Sequence, residues 1–272
     1  MTAELDRAAE LISSAGALLV CAGAGMGVDS GLPDFRGDEG FWRAYPPYAR
    51  LGLSFVEVAD PVHFAADPEL AWGFYGHRLE LYRRTRPHDG FAILRRWGDA
   101  KSGGVRVFTS NVDGQFQRAG FPHVAEVHGS IHHLQCLERC GDDIWPADDV
   151  TVSVDEATMR AVPPLPACPH CGGLARPNIL MFGDFDWLGT RTERQLDELR
   201  AWRREHPDLV VVELGAGLAV PTVRRQAELA SAANGALVRI NPREPEVRHG
   251  RGVSLPLGAL DALSRIDARL SG

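Results

Sequence analysis

Ala17-Leu18-Leu19-Val20-Cys21-Ala22-Gly23-Ala24-Gly25 decides the fold: an apolar run passes without a break into a glycine-rich turn. A buried strand that ends in closely spaced glycines is the local context of a Rossmann-type nucleotide site. Gly23, Ala24 and Gly25 form the turn, and the two glycines are expected to let backbone N–H groups approach a pyrophosphate. The turn does not read GxGxxG, and no P-loop lysine follows it. By itself it is equally a tight strand-to-helix connection.

Working outward, the chain continues GAGMGVDSGLPDFRG over Gly23–Gly37, so that Asp34, Phe35 and Arg36 follow the turn closely. A guanidinium beside an aromatic ring at that place suits the ribose-phosphate side of a ligand. Three more islands recur down the chain: TSNVD (Thr109–Asp113), VHGS (Val127–Ser130) and VELGAGL (Val212–Leu218). Each is weak alone; together they make sense as loops closing on one dinucleotide.

These islands, with two cysteine pairs, RPNILMFGD (Arg176–Asp184) and Ile240-Asn241, stand in the order found in sirtuins, the NAD-dependent protein lysine deacylases, and the chain resembles that family over nearly its whole length. The resemblance implies NAD as co-substrate and acyl-lysine proteins or peptides as partners. It further implies that the acyl carbonyl oxygen breaks the nicotinamide–ribose bond, and that a base then activates a ribose hydroxyl. His128 of VHGS matches the base, which suits a residue titrating near neutrality. Asn111 and Asp113 match the nicotinamide-site pair, with Ser110 beside them; an Asn-x-Asp after a strand is otherwise more often a turn with capping side chains. Gly215, Gly217, Asn241 and Val253 complete the expected NAD contacts, the last two near adenine. Ile179, Phe182 and Gly183 are expected along the peptide groove, although Ile179-Leu180-Met181-Phe182 also reads as plain core.

The chain departs from the family at several positions. Ser110, Gln115, Phe116, Gly27, Ala216 and Gly217 stand where glutamine, leucine, histidine, serine, threonine and serine are usual. These changes remove side-chain hydrogen bonds around NAD. They keep two alternatives open: a sirtuin-like NAD hydrolase or ADP-ribosyltransferase, and a non-catalytic NAD or ADP-ribose sensor. Tyr75 and Arg78 have the Tyr-x-x-Arg spacing of sirtuins that remove succinyl, malonyl or glutaryl groups, in which a phenol and a guanidinium close the acyl tunnel. The competing reading is a solvated helix face on which Arg78, Arg83 and Arg84 meet water or Glu80.

Four of the five cysteines come in pairs, Cys136 with Cys140 and Cys168 with Cys171. The second pair, CPHCGG, has the form of a zinc-knuckle turn, and the spacing points to structural Zn²⁺ held by four thiolates. Cys136 and Cys140 are spaced C-x3-C where C-x2-C is usual, and His132, His133 and His170 are rival ligands. Cys21 reads as a small buried residue.

The 272 residues, 44% of them apolar, suffice for a sizeable core. A net charge of -7 argues against a nucleic-acid partner bound through phosphate neutralisation. No apolar run is long enough for a membrane span, and the first residues, MTAELDRAAELISS, form an amphipathic helix with Leu5, Ala9 and Ile12 on one face rather than a signal peptide. A cytoplasmic location is expected.

Apolar runs at 105–108, 209–214 and 236–240 read as buried parallel strands, alternating with helical patterns at 89–100 and 222–233. The expected fold is therefore α/β, a doubly wound parallel sheet with a second, smaller domain. The NAD-binding domain is assigned to 1–37, 87–130 and 176–272. The smaller domain joins a helical insertion, 38–86, to a zinc-binding insertion, 131–175.

Overall fold

The computed structural model describes residues 1–33 and 37–271. Asp34, Phe35 and Arg36 lie outside the described residues. In chain order the strands are β1 (Leu18–Ala22), β2 (Val105–Thr109), β3 (Val124–Glu126), β4 (Gly129–Cys136), β5 (Ile144–Pro146), β6 (Ser153–Asp155), β7 (Arg160–Val162), β8 (Ala175–Ile179), β9 (Val210–Leu214), β10 (Leu237–Ile240) and β11 (Val253–Leu255).

Six of them form one sheet, ordered β11-β10-β9-β1-β2-β3, in which every pairing is parallel. Parallel strands need helical crossovers, which cover both faces and bury the strands completely. β1 shows the outcome. Leu18, Val20 and Ala22 pack toward the helices Thr2–Ser14, Asp89–Asp99 and Ala259–Leu270, through Leu5, Ile12, Phe91, Leu94, Leu263 and Ile266. Leu19 and Cys21 point the other way, onto Leu199 and Trp202 of Thr190–Glu205 and Val223 and Ala227 of Thr222–Ser231. The two-residue period of a strand thus serves two cores at once.

From β1 the chain runs outward through β2 to β3, and later returns to the other side of β1 through β9, β10 and β11. The winding direction reverses between β1 and β9, and ligands bind such sheets beyond the strand C-termini at that reversal. Gly23 and Gly215 are the first residues past those two ends.

A third buried cluster lies apart from both faces of this sheet. It gathers Phe41, Tyr45, Tyr48, Phe64, Trp72, Phe74 and Tyr75 with Ile131, Leu134, Ala175, Ile179 and Met181. A three-stranded antiparallel sheet, β5-β4-β8, forms one part of it, and the Pro68–Arg84 helix crosses it. Because β8 begins at Ala175 and pairs with β4, the expected boundary between 175 and 176 falls inside a strand. No helix among the described residues is long and apolar enough to cross a membrane.

Candidate active site

The strand ends are fastened to one another by backbone rather than by side-chain chemistry. Gly23 N–H donates to Leu214 O at 2.9 Å and Gly25 N–H to Gly215 O at 3.1 Å. These two N–H groups are therefore occupied inside the protein. The reason for the glycines is a close approach. A Cβ on Gly23 would lie 2.8 Å from Gly215 O, and one on Gly25 2.6 Å from Gly215 Cα. Gly217 differs, since a Cβ there would meet nothing within 4 Å.

TSNVD is tied to this turn. Thr109 Oγ1 donates to Ala22 O at 2.9 Å and accepts from Asn111 N–H at 3.0 Å, while Asn111 Nδ2 donates to Gly23 O at 3.0 Å. Thr109, not singled out in the sequence, thus sets the position of Asn111. Ser110 continues the line with its N–H on Ala22 O at 3.3 Å. Asp113 is buried, and its Oδ1 accepts from Gln115 N–H at 2.9 Å, the capping role that an Asn-x-Asp turn usually plays. Burial pushes its carboxyl up to about 6, although that backbone hydrogen bond works the other way; nearby Glu126 adds to the rise.

VHGS is held between TSNVD and the RPNILMFGD segment. Val127 N–H donates to Thr109 O at 2.9 Å and Ile131 N–H to Val112 O at 3.0 Å. On the other side Leu180 N–H donates to His128 O at 2.9 Å. Gly129 adopts φ +74, and a Cβ there would stand 2.0 Å from Asn178 O, so no larger residue fits beside β8. His128 itself is half-buried, and its ring makes no hydrogen bond among the described residues. Burial lowers its pKa, favouring the neutral imidazole that a base requires.

Three expected contacts take other roles. The Asn241 side chain is fully buried and engaged by backbone: Nδ2 donates to Ala216 O at 2.9 Å, and Oδ1 accepts from Arg243 N–H at 3.0 Å and Glu244 N–H at 3.1 Å. Its side chain thereby shapes the Gly215–Gly217 wall. Val253 pairs with Val238 and sits in the core, 4% exposed; Leu255, paired with Ile240, is the β11 residue nearest the C-terminal edge. Loose positional matching in sequence missed this register. Ile179 is 5% exposed in the aromatic cluster, so the plain-core alternative holds for its side chain.

Phe182 and Gly183 are instead exposed, Gly183 at φ +67 with open space around it. Phe182 N–H donates to Ala59 O at 3.1 Å, and its ring meets Phe55 edge-on at 6.0 Å. Asp184, which sequence reading passed over, organises the segment. Its carboxylate receives Arg176 Nη1 at 3.2 Å and Nη2, together with the Met181 and Asp186 N–H groups at 3.3 and 3.2 Å.

Arg78 is buried, which removes the solvated-helix alternative. Its guanidinium carbon lies 5.0 Å from the Phe74 ring centroid, 5.7 Å from Tyr75 and 5.3 Å from Tyr82. Nε and Nη2 donate to Tyr82 Oη at 3.0 and 2.7 Å. Arg83, on the same helix, binds the carbonyls of Ala147 and Val150.

The four cysteine sulfurs of Cys136, Cys140, Cys168 and Cys171 lie within 4.8 Å of one another. Sγ of Cys136 is 3.7 Å from that of Cys171, and Sγ of Cys140 3.6 Å from that of Cys168. These separations are far beyond a disulfide bond. They match the edges of a tetrahedron around Zn²⁺, about 3.8 Å for Zn–S bonds of about 2.3 Å. Gly173 N–H reaches Cys171 Sγ at 3.4 Å, the support expected of a knuckle glycine. The rival histidines are engaged or absent from this cluster: His170 Nε2 faces Asp143 at 3.2 Å and His132 Nε2 lies 3.0 Å from Asp113 O. The donor set therefore fits a structural zinc.

The profile of the Sir2 family matches residues 23–221, which spans all the turns just described except Asn241. The chain belongs to the Sir2 family. Among its relatives in that family, NAD-dependent protein deacylase 1 of Archaeoglobus fulgidus is 32% identical over 233 residues, covering 84% of this chain and 82% of that protein. The mitochondrial NAD-dependent protein deacylase sirtuin-5 of Danio rerio is 33% identical over 216 residues, covering 72% and 67%. A Sir2 homolog solved as an NAD complex superposes with a TM-score of 0.75 at 26% identity, over 97% of this chain and 92% of that one.

Proposed function

We propose that this sirtuin removes acyl groups from protein lysine side chains, consuming NAD and releasing nicotinamide and O-acyl-ADP-ribose. The carrying observation is one continuous hydrogen-bonded assembly. Gly23 holds Asn111, the TSNVD strand end holds Val127, and His128 O holds Leu180. The nucleotide turn, the base and the peptide edge are thereby fixed relative to one another, as a two-substrate reaction requires. Relatives named as NAD-dependent protein deacylases support the same reading.

NAD lies across the β1 and β9 ends, with Asp113 receiving the carboxamide and Asn111 the ribose side. From their place in the sequence, Asp34, Phe35 and Arg36 are assigned to the ribose-phosphate side of NAD. The acyl oxygen attacks the ribose carbon as the nicotinamide bond breaks. His128, kept neutral by burial, takes the proton of a ribose hydroxyl as that oxygen attacks the activated acyl carbon. The acyl-peptide runs along Phe182 and Gly183 toward Gly217 and Leu218, pairing as an added strand. The helical and zinc-binding insertions, with their own aromatic core, form the second wall of that groove.

Tyr75 and Arg78 read the end of an acidic acyl chain. What supports this is the placement of the Arg78 guanidinium, buried among the Phe74, Tyr75 and Tyr82 rings with the Tyr75 phenol on the same helix face. Four paired thiols without a disulfide suit a reducing, cytoplasmic compartment.

Incubation with NAD, with and without acyl-lysine peptides, tests the reaction. Peptide-dependent nicotinamide release is expected; peptide-independent release would assign an NAD hydrolase, and no release a sensor. Comparing succinyl- and acetyl-lysine peptides for wild type and Arg78→Ala tests the acyl preference. Loss of the carboxylate contact should lower desuccinylation by roughly tenfold to a hundredfold and spare deacetylation. Equal loss of both would remove Arg78 from that role.

A further inference from the structure

We infer that Tyr82 is an internal substitute for the acyl carboxylate, and that its hydroxyl sets how strongly this enzyme prefers acidic over neutral acyl groups. The inference rests on Arg78 reading the acyl end. It starts from an i, i+4 relationship on the Pro68–Arg84 helix, which places both side chains on one face. Arg78 directs Nε and Nη2 together onto Tyr82 Oη, at 3.0 and 2.7 Å. That edge is one of the two with which a guanidinium grips a carboxylate bidentately.

Both partners are buried, Arg78 at 6% and Tyr82 at 5% exposure. Arginine stays charged when buried, so its N–H groups need acceptors whether or not an acidic acyl chain is present. Burial keeps Tyr82 protonated by raising its pKa, against the pull of Arg78. Its neutral oxygen is a weaker acceptor for a cation than a carboxylate. With an acetyl group in the tunnel, Tyr82 continues to satisfy the guanidinium. A succinyl or glutaryl carboxylate displaces the phenol, or shares Nη2 with it, and forms the stronger contact. Tyr82 also lines a cavity of about 320 Å³ with Asp113, Ser130 and His132, which gives a displaced ring somewhere to turn.

The hydroxyl therefore lowers the penalty of binding neutral acyl groups and competes with acidic ones. Tyr82→Phe removes it without changing the ring. The expected result is a rise of about tenfold in the ratio of kcat/KM for succinyl- over acetyl-lysine peptides, the effect of one charge-assisted hydrogen bond. A merely structural tyrosine would lower both activities together and leave the ratio unchanged, which overturns the inference. The rise should disappear when Tyr82→Phe is made in the Arg78→Ala background.

Arg78→Ala alone separates the two layers of argument. If it leaves the ratio unaltered, the acidic-acyl reading itself fails; if it collapses the ratio while Tyr82→Phe does nothing, only the role of Tyr82 fails. Should Tyr82→Phe not fold, the wild-type protein still answers. With only four tyrosines, labelled ring Cζ resonances can be assigned one by one. The Tyr82 signal should shift with succinyl-lysine peptide and stay in place with acetyl-lysine peptide; the same response to both overturns the inference.

Discussion

Gly25 and Gly215 face each other so closely that a Cβ on Gly215 would lie 2.4 Å from Gly25 Cα. Gly215 also adopts φ +58, a conformation that L side chains rarely take. Two demands therefore coincide at one residue. Gly215→Ala is expected to cost about 1–3 kcal/mol from backbone strain alone, and to part the two turns proposed to carry NAD. Chemical unfolding and NAD titration should both register the change. A variant of wild-type stability and affinity would show that the approach is not required.

His128→Ala should reduce deacylation by ~10²- to 10⁴-fold while leaving the fold and NAD binding largely intact. His128 joins its neighbours through its backbone carbonyl, which alanine keeps. Rate measurements alongside NAD titration check both halves of the statement. Wild-type turnover in the variant would rule His128 out as the base.

The pH profile should carry the same signature. Burial lowers the His128 pKa below its ordinary 6.5, so neutral base persists further into acid than for a solvated histidine. The acid limb of the kcat/KM profile is expected to have its midpoint below pH 6.5.

Asp113 makes a different pH prediction, on stability. Its folded carboxyl titrates at about 6 and its unfolded one near 3.8, so the folded state holds the proton longer. Stability attributable to this residue falls as pH rises from about 4 to about 6, and the loss stays constant above that range. Its full size is about 3 kcal/mol. Asp113→Asn should therefore stabilise the protein at pH 8 far more than at pH 4 in urea unfolding, while weakening NAD-dependent turnover. An unchanged difference between the two pH values would contradict the buried-carboxyl account.

One zinc per chain is expected by elemental analysis of protein purified without chelator. Four thiolates leave no open position, so the metal is structural, and Cys168→Ser should reduce the stoichiometry toward zero and lower the melting temperature. A stoichiometry near zero in the wild type would exclude the site.

How much of this was legible in the sequence follows from the range of the forces involved. Strands and helices announce themselves locally: the apolar run at Leu18 and the spacing of Phe91, Leu94 and Trp97 are patterns within a few residues. So are the paired cysteines, whose chemistry needs all four. The role of Gly25 was less visible, because its neighbour Gly215 is 190 residues away and nothing near Gly25 encodes the contact. Val253 was misplaced for a similar reason, since strand register is fixed by pairing with Val238. Asn241 was found, but its use by backbone depends on how the following turn folds back. Asp184 and Tyr82 stood in plain view beside motifs already singled out; their importance appears only when Arg176 and Arg78 are seen reaching for them.

For the proposed peptide edge, the carboxylate of Asp184 has a consequence for how fast and how selectively peptides would be captured. Because it gathers Arg176 and the Met181 and Asp186 N–H groups around Phe182 and Gly183, this segment is ordered when the chain folds, before any partner arrives. The loss of freedom that a floppy edge would suffer at each encounter is thus taken once, in folding. A peptide docking on the proposed edge would meet a finished template, and sequence differences around the acyl-lysine would be judged against a surface that yields little to accommodate them.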